Sequence, residues 1–168
     1  MAAQLSEARA SIPIRRVICP SGPLLPLPQV PDPVFAGLMM GDGLAIEPLS
    51  STLIAPCDGV ISQLARTHHA LTLTAANGAQ ILLHIGIDTV QLGGAGFTAL
   101  VAQGDSVRQG QALIEVDLDA VARQATSLIS MLVIANGEHY QLDERASGLA
   151  QAGQTPLLRL HAMHATTT

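Results

Sequence analysis

Short apolar runs separated by proline and glycine make up most of the chain. From Val17 to the middle of the chain these two residues recur every few positions, which disfavours long helices. The runs between the breaks are rich in strand-forming residues, and we predict a strand for each. They are residues 43–46, 51–55, 59–65, 70–75, 79–85, 112–116 and 156–160. Many short strands predict an all-β fold, an antiparallel β-sandwich or flattened barrel with short peripheral helices.

One segment, from about residue 118 to residue 127, is predicted to be helical. Asp117 or Asp119 can cap its start, and Val121 is among the residues available to pack it. The length of 168 residues fits one domain. We predict a mobile leader over residues 1–16, the domain over residues 17–161, and a tail or linker stub over residues 162–168.

Composition limits the classes of partner and chemistry. The formal net charge of -5 argues against nucleic acid, because phosphate backbones are bound by clustered basic side chains. All eight basic residues are arginine. Without lysine the chain lacks the essential residue of a P-loop, a Schiff-base enzyme and a lipoyl or biotinyl carrier. Prolines such as Pro20 and Pro23 interrupt the apolar run that an export signal would need, so we predict a cytoplasmic location. No apolar stretch approaches the roughly 20 residues of a membrane span, so we predict no membrane insertion.

The most informative local pattern is a hairpin that carries two histidines. Asn77-Gly78 lies between two predicted strands and favours a two-residue turn in which both residues have positive φ. This turn would place Leu71 opposite His84, with His69 as a diagonal neighbour of His84. His69, Leu71, Leu73, Leu82 and His84 would then project from one face. A register slip of one residue would break this arrangement.

Two imidazoles in apolar surroundings suit phosphoryl transfer. Burial disfavours the protonated ring, and a neutral ring nitrogen is a good nucleophile near pH 7. The second ring can donate a hydrogen bond to the phosphoryl group if its own tautomer is fixed, and Thr67 is a candidate for fixing it. The alternative is that both histidines are ordinary core or surface residues. For His68 and His139 that alternative is preferred, as it is for His161 and His164.

Several segments resemble the glucose-class enzyme IIA domains of the sugar phosphotransferase system. Residues 81–90 (ILLHIGIDTV) followed by Gly96-Phe97 resemble the phosphorylation-site segment of that family, and residues 67–70 (THHA) resemble its upstream histidine segment. Further matches are residues 34–36 with 41–46, 55–59, 104–107 and 153–157. The lack of a glucose-type amphipathic leader makes the chain resemble the IIA portion that opens fused IIA-HPr-enzyme I proteins.

The resemblance implies a role for each matching residue. His84 would accept the phosphoryl group, His69 would stabilise it, Thr67 would orient His69, and Asp88 would lie beside the site. The family's docking surface is a shallow apolar face, onto which Val34, Phe35, Met40, Leu82 and Val90 would map. Phe35 is equally compatible with simple core packing.

The resemblance also implies partners. The donor would be phosphorylated HPr, and the acceptor would be a cysteine on the IIB domain of a sugar permease. No cofactor would be required. Zn²⁺ held by His69 and His84 together with a carboxylate of a partner protein is a further expectation. Ala65, where the family often has an aromatic residue, and Gln91, where an acid is common, depart from the family pattern.

A zinc-dependent hydrolase of the lysostaphin type is the main alternative. His84 and Asp88 resemble half of the metal site of that family. Its third ligand comes from a His-x-His pair, which this chain lacks, and adjacent residues such as His68 and His69 point to opposite sides of a strand. The relay is therefore the preferred hypothesis.

Overall fold

The computed structural model describes residues 11–14, 21–49, 51–143, 145–151 and 157–163. Its strands are β1 (Ser11–Ile14), β2 (Ser21–Pro26), β3 (Asp42–Ile46), β4 (Thr52–Ile54), β5 (Gly59–Leu64), β6 (Ala70–Ala75), β7 (Gln80–His84), β8 (Phe97–Ala99), β9 (Ser106–Val107), β10 (Ala112–Val116), β11 (Ser130–Ile134), β12 (Tyr140–Asp143), β13 (Leu149–Gln151) and β14 (Leu158–Ala162). Its α-helices are α1 (Pro33–Ala36) and α2 (Leu118–Gln124). Single turns of 3-10 helix occupy Leu27–Gln29, Thr89–Leu92 and Gly137–His139.

The described strands form three antiparallel sheets. The largest has the order β13-β2-β3-β11-β7-β6-β5-β9, and the smaller ones have the orders β4-β10-β8 and β1-β14-β12. The sheets are open, so the fold is the predicted all-β sandwich and not a closed barrel. In the described residues, no helix is long and apolar enough to cross a bilayer.

The main hydrophobic core lies on the inner face of the large sheet. Leu71, Leu73, Ile81 and Leu83 from β6 and β7 are at most 2% exposed there. They pack with residues of the smaller sheets, including Leu53 and Ile114. Strand alternation therefore sends the odd-numbered side chains of this hairpin into the core.

A second hydrophobic cluster lies on the opposite, outer face of the same sheet. Ala45, Met131 and Val133 from β3 and β11 are buried there beneath Leu27, Val30 and Phe35 from the segment between β2 and β3. Every residue of β11 is buried, since this strand is covered on both faces. Its sequence therefore lacks the apolar-polar alternation that marks a strand exposed on one face, and the sequence analysis missed it.

The observed ends of several strands and helices agree with the ends predicted from the sequence. β6 and β10 have the predicted bounds. Helix α2 begins at the predicted residue, Leu118, because the Asp117 side chain accepts a hydrogen bond from Ala120 N (3.1 Å). It ends at Gln124, three residues before the predicted end.

The predicted domain boundaries remain predictions. Within the predicted leader, Ser11–Ile14 forms β1, which pairs with β14. Residues 1–10 and 15–16 lie outside the described residues. In the predicted tail, Ala162 ends β14, and residues 164–168 lie outside the described part.

The hairpin turn differs from the prediction. The loop has three residues, Ala76 to Gly78, closed by a hydrogen bond from Ala75 N to Ala79 O (2.9 Å). Only Gly78 in this loop has a positive φ, of 87°, as in a turn that ends in a glycine bulge. Asn77 keeps a negative φ while its side-chain oxygen accepts from Ala79 N (3.0 Å).

The longer loop shifts the register by one residue. Ala70 lies opposite His84 and Leu71 lies opposite Leu83, so the predicted pairing of Leu71 with His84 is wrong. The prediction that Leu71 and Leu73 share a face with His84 is also wrong, because both point into the inner core. His84 and Leu82 project from the outer face of the sheet.

Candidate active site

The two histidines of the hairpin meet on the outer face despite the shifted register. Their ring centroids lie 5.0 Å apart with an interplanar angle of 81°, an edge-to-face arrangement. Regular alternation would have placed His69 on the core face with Leu71. β6 begins only at Ala70, and His68 has a left-handed backbone with φ of 57°. The irregular backbone before β6 therefore allows the His69 ring to reach His84.

The hydrogen bond at His84 determines which ring nitrogen can react. Its Nδ1 lies 2.9 Å from the carbonyl oxygen of Gly86. A carbonyl oxygen only accepts hydrogen bonds, so Nδ1 carries the hydrogen. In the neutral ring Nε2 then holds the free electron pair. His84 thus has one defined nucleophilic atom.

Thr67 contacts the other imidazole as the sequence predicts. Its hydroxyl oxygen lies 2.5 Å from Nδ1 of His69. A hydroxyl that donates to Nδ1 leaves the ring hydrogen on Nε2. His69 can then donate a hydrogen bond from Nε2 to a bound oxyanion.

Burial keeps both rings neutral. Desolvation, with a smaller contribution from the charge of His69, lowers the pKa of His84 to about 4. Desolvation also lowers the pKa of His69. The Phe35 ring adds to the apolar surroundings, with its centroid 5.0 Å from that of His84. At neutral pH His84 is therefore in the form that can attack an electrophile.

Two carboxylates lie on segments that adjoin the histidine site in the fold. Asp88 follows the Gly86 turn in a left-handed conformation, with φ of 60°, and its carboxylate accepts a hydrogen bond from the Thr126 hydroxyl (2.6 Å). Asp32 was missed by the sequence analysis. Its charge partly opposes the drop in the pKa of His84. The helix that Asp32 caps carries Phe35, whose ring centroid lies 5.0 Å from that of His84.

Asp32 also begins helix α1. Its side chain accepts a hydrogen bond from Val34 N (2.9 Å), and Pro33 occupies the first helical position. Asp32-Pro33 is a recognisable helix start that could have revealed α1. Nothing in the local sequence indicates that this helix start lies near His84.

The residues predicted to form a docking face differ in exposure. Val34, Met40 and Val90 are 41%, 43% and 56% exposed. Leu82 is partly buried against the second cluster. Phe35 is only 7% exposed and packs in that cluster and against His84. Of the two roles considered for Phe35, the structure favours core packing.

Residues 16–140 match the family model described as phosphoenolpyruvate-dependent sugar phosphotransferase system, EIIA 1. The match covers well over half of the chain. The chain belongs to this family. The glucose-class resemblance and the role as a phosphohistidine-carrying phosphoryl relay of the sugar phosphotransferase system are thereby confirmed.

Individual relatives agree with this family. The EIIA chain is 40% identical over 141 residues to the glucose-specific EIIA component of Bacillus cereus. The matched residues cover 83% of this chain and 86% of that relative. It is 43% identical over 141 residues to the N-acetylglucosamine-specific EIICBA component of Klebsiella pneumoniae. That match covers 83% of this chain but only 22% of the longer relative.

A solved structure extends the agreement to the fold. The EIIA chain superimposes on the glucose permease IIA from Mycoplasma capricolum with a TM-score of 0.83 and 34% sequence identity. The superposition covers 88% of this chain and 95% of that one. The EIIA chain therefore has the same β-sandwich fold as this relative.

Metal binding at the site would need ligands beyond those that the described residues bring together. His69 and His84 supply two imidazoles, but among the described residues no group of three or more histidine, cysteine, aspartate or glutamate side chains is suited to a metal ion. Catalytic zinc takes three protein ligands and an open position. The family comparisons give no support to the zinc hydrolase alternative. Zinc shared with a partner protein stays a prediction.

Proposed function

We propose that His84 is the residue that carries the phosphoryl group in this EIIA domain. The observation that carries the proposal is the hydrogen bond from His84 Nδ1 to Gly86 O, which leaves Nε2 as the nucleophile beside His69. The low pKa of His84 supports it, because the ring is neutral at physiological pH.

The transfer is a substitution at phosphorus. The electron pair of His84 Nε2 forms the new N–P bond while the bond from phosphorus to the donor atom breaks, and the donor atom keeps that electron pair. No proton has to leave Nε2, since Nδ1 holds the ring hydrogen throughout. In the onward step an acceptor nucleophile attacks the same phosphorus, and the N–P bond breaks with its electron pair staying on His84 Nε2. Such a step depends on placement and electrostatics more than on covalent chemistry from the protein.

His69 is proposed to stabilise the transferring group. With Thr67 donating to Nδ1, His69 carries its ring hydrogen on Nε2, in a ring whose centroid lies 5.0 Å from that of His84. A hydrogen bond to a phosphoryl oxygen is stronger there than in water because the surroundings are apolar. The proposal assigns Thr67 the orienting role and Asp88 a place at the edge of the site.

The proposed donor is phosphorylated HPr, and the proposed acceptor is a cysteine on a permease IIB domain. The EIICBA name of the Klebsiella relative supports a IIB partner, since it joins the B and A components in one chain. The exposed apolar side chains of Val34, Met40 and Val90 would exclude water on docking. A net charge of -5 would attract a donor with a basic surface. The proposed location is the cytoplasm.

Intact-mass measurement tests the assignment. The wild-type chain is incubated with phosphoenolpyruvate, enzyme I and HPr, and we expect an acid-labile gain of one phosphoryl group. His84→Ala should show no gain. His139→Ala is the matched control, because His139 is a surface residue whose side chain is 69% exposed, and it should be phosphorylated like the wild type. Phosphorylation of His84→Ala to the wild-type level would contradict the proposal.

Transfer onward is tested with purified IIB domains. Phosphorylated chain is mixed with the IIB domain of a glucose permease or of an N-acetylglucosamine permease, and loss of the phosphoryl mass is followed over time. We expect transfer to at least one of them, and none when the acceptor cysteine is replaced by serine. Loss at the same rate to the serine variant would contradict a cysteine acceptor.

A further inference from the structure

The buried polar side chains of the described residues gather around the turn that follows His84. Only three polar residues there are classed as buried: His69 at 8% exposure, and Thr89 and Ser130 at 0%. A buried hydroxyl without a partner is destabilising, so the hydrogen bonds of Thr89 and Ser130 indicate what these residues do. His69 belongs to the site already described, whereas the two hydroxyls do not.

The two hydroxyls hold opposite ends of one peptide group. Thr89 Oγ1 donates a hydrogen bond to the carbonyl oxygen of Ile85 (2.5 Å). Gly86 N donates to Ser130 Oγ (3.3 Å), and that hydroxyl in turn donates to Leu128 O (3.0 Å). The C=O of Ile85 and the N–H of Gly86 belong to the same peptide plane. Both of its polar groups are therefore fixed by side chains from elsewhere.

The orientation of this peptide helps to set where the next carbonyl points, because rotation of the Ile85–Gly86 peptide changes the φ of Gly86. The next peptide is also held, since Ile87 N donates to Ser127 O (2.9 Å). Gly86 has a φ of 72°, and a side chain at this position would meet Thr89 Cγ2 at 2.5 Å and Ser127 O at 2.9 Å. The close packing and the two hydroxyls favour the observed conformation of Gly86. In that conformation its carbonyl oxygen accepts the hydrogen bond from His84 Nδ1.

We propose that Thr89 and Ser130 are positioning residues for phosphoryl transfer, which hold the Ile85–Gly86 peptide so that the Gly86 carbonyl keeps the hydrogen of His84 on Nδ1. The inference rests on the proposed role of His84. Neither hydroxyl touches the phosphoryl group. They act through Gly86 on the tautomer and orientation of the imidazole, in the way that outer-shell groups orient catalytic and metal-binding histidines.

Loss of either hydroxyl should leave the turn itself in place. Independent backbone bonds attach it to the segment before β11: Ile87 N donates to Ser127 O (2.9 Å) and Thr126 N donates to Ile87 O (3.2 Å). The Ile85–Gly86 peptide would lose one of its two side-chain hydrogen bonds while the chain stays docked. This separates a positioning role from a purely structural one.

The test compares Thr89→Val, which removes the hydroxyl at nearly constant shape, with Thr89→Ser, which keeps it. Ser130→Ala removes the second hydroxyl. Thr74→Val is the matched control, because Thr74 lies at the end of β6 far from His69 and its hydroxyl donates to Ser62 on β5. Nitrogen-15 NMR of the His84 ring reports the tautomer without any phosphoryl transfer. Single-turnover transfer from phosphorylated HPr gives the rate at saturation and the half-saturating concentration.

We expect Thr89→Val and Ser130→Ala to shift the His84 ring toward a mixture of tautomers. The saturated rate should fall about three- to tenfold, as expected for one neutral hydrogen bond, at an unchanged half-saturating concentration. Thr89→Ser and Thr74→Val should match the wild type. Thermal unfolding of each variant checks that it is folded.

Two results would overturn the proposal. One is a wild-type tautomer in both hydroxyl-free variants. The other is a Thr89→Ser variant as impaired as Thr89→Val, which would show that keeping the hydroxyl does not preserve the His84 site. Failure of His84 phosphorylation in the wild type would instead refute the proposed function, and the NMR comparison would still decide the positioning role.

Discussion

The two ends of the β6–β7 hairpin are both held by side chains, but with different consequences. At the turn end, Tyr140 OH donates to Asn77 O (2.7 Å) and Asn136 Nδ2 donates to Gly78 O (3.0 Å). These bonds secure a three-residue loop and thereby the register of the hairpin. They determine which residue lies opposite His84.

At the other end, hydrogen bonds determine which ring nitrogen of His84 can react. The Gly86 carbonyl fixes the hydrogen of His84, and Thr67 binds the ring of His69. The hydroxyls of Thr89 and Ser130 hold the intervening peptide. The comparison teaches that register and reactivity are set at opposite ends of the same hairpin, so each can be broken without the other.

The largest effect should come from breaking the histidine end. His69→Ala removes the proposed hydrogen bond to the transferring phosphoryl group, and we expect transfer from phosphorylated HPr to slow by about 100-fold. The free energy of unfolding should change far less than the rate. Rapid-quench kinetics measure the rate, with His139→Ala as the control. A wild-type rate in His69→Ala would remove His69 from the mechanism.

Breaking the turn end should affect stability and not chemistry. Gly78→Ala places a side chain at φ of 87°, with its Cβ 3.0 Å from Tyr140 OH, and should lower the free energy of unfolding by about 2 kcal/mol. Urea denaturation measures this loss, while the folded variant should accept phosphate at the wild-type rate. Gly137→Ala is the matched control, since a Cβ there meets nothing within 4 Å. Equal stability of the two variants would contradict the role of the turn.

The pH dependence of stability sharpens the same comparison. Because the pKa of His84 falls from an ordinary 6.5 to about 4 on folding, the unfolded chain binds the extra proton between these values. Stability should therefore decrease as pH falls from 7 to 5, by about 1 to 2 kcal/mol more in the wild type than in His84→Gln. Urea denaturation at both pH values checks this. Parallel losses in the two proteins would show that His84 is not the group responsible.

Much of the fold could be predicted from local patterns, and each wrong prediction has a physical cause. Strands β6 and β10 alternate or carry strong strand propensity and were found with their bounds. β11 is buried on both faces and carries no alternation, so the strand next to β7 was missed. The Asn77-Gly78 pair did indicate a turn, but a dipeptide does not fix the length of a loop that Asn136 and Tyr140 hold from a distance.

The site shows the same limit. The proximity of His69 and His84 was predicted, but from a register that the three-residue loop makes wrong. The left-handed backbone of His68, which allows the His69 ring to reach His84, could not be read from the sequence. Thr67 was found since it lies two residues from its partner. Asp32 and Ser130 were missed because they reach the site only through the pairing and packing of distant segments.

The most direct test of the account is the position of the phosphoryl group on the protein. Phosphorus-31 and nitrogen-15 NMR of the phosphorylated wild-type chain, labelled in its histidines, identifies both the residue and the ring nitrogen that bear phosphate. The account predicts a single phosphohistidine at Nε2 of His84, with the Nδ1 hydrogen still bonded to Gly86 O. Phosphate on Nδ1 of His84, or on His69, would contradict it.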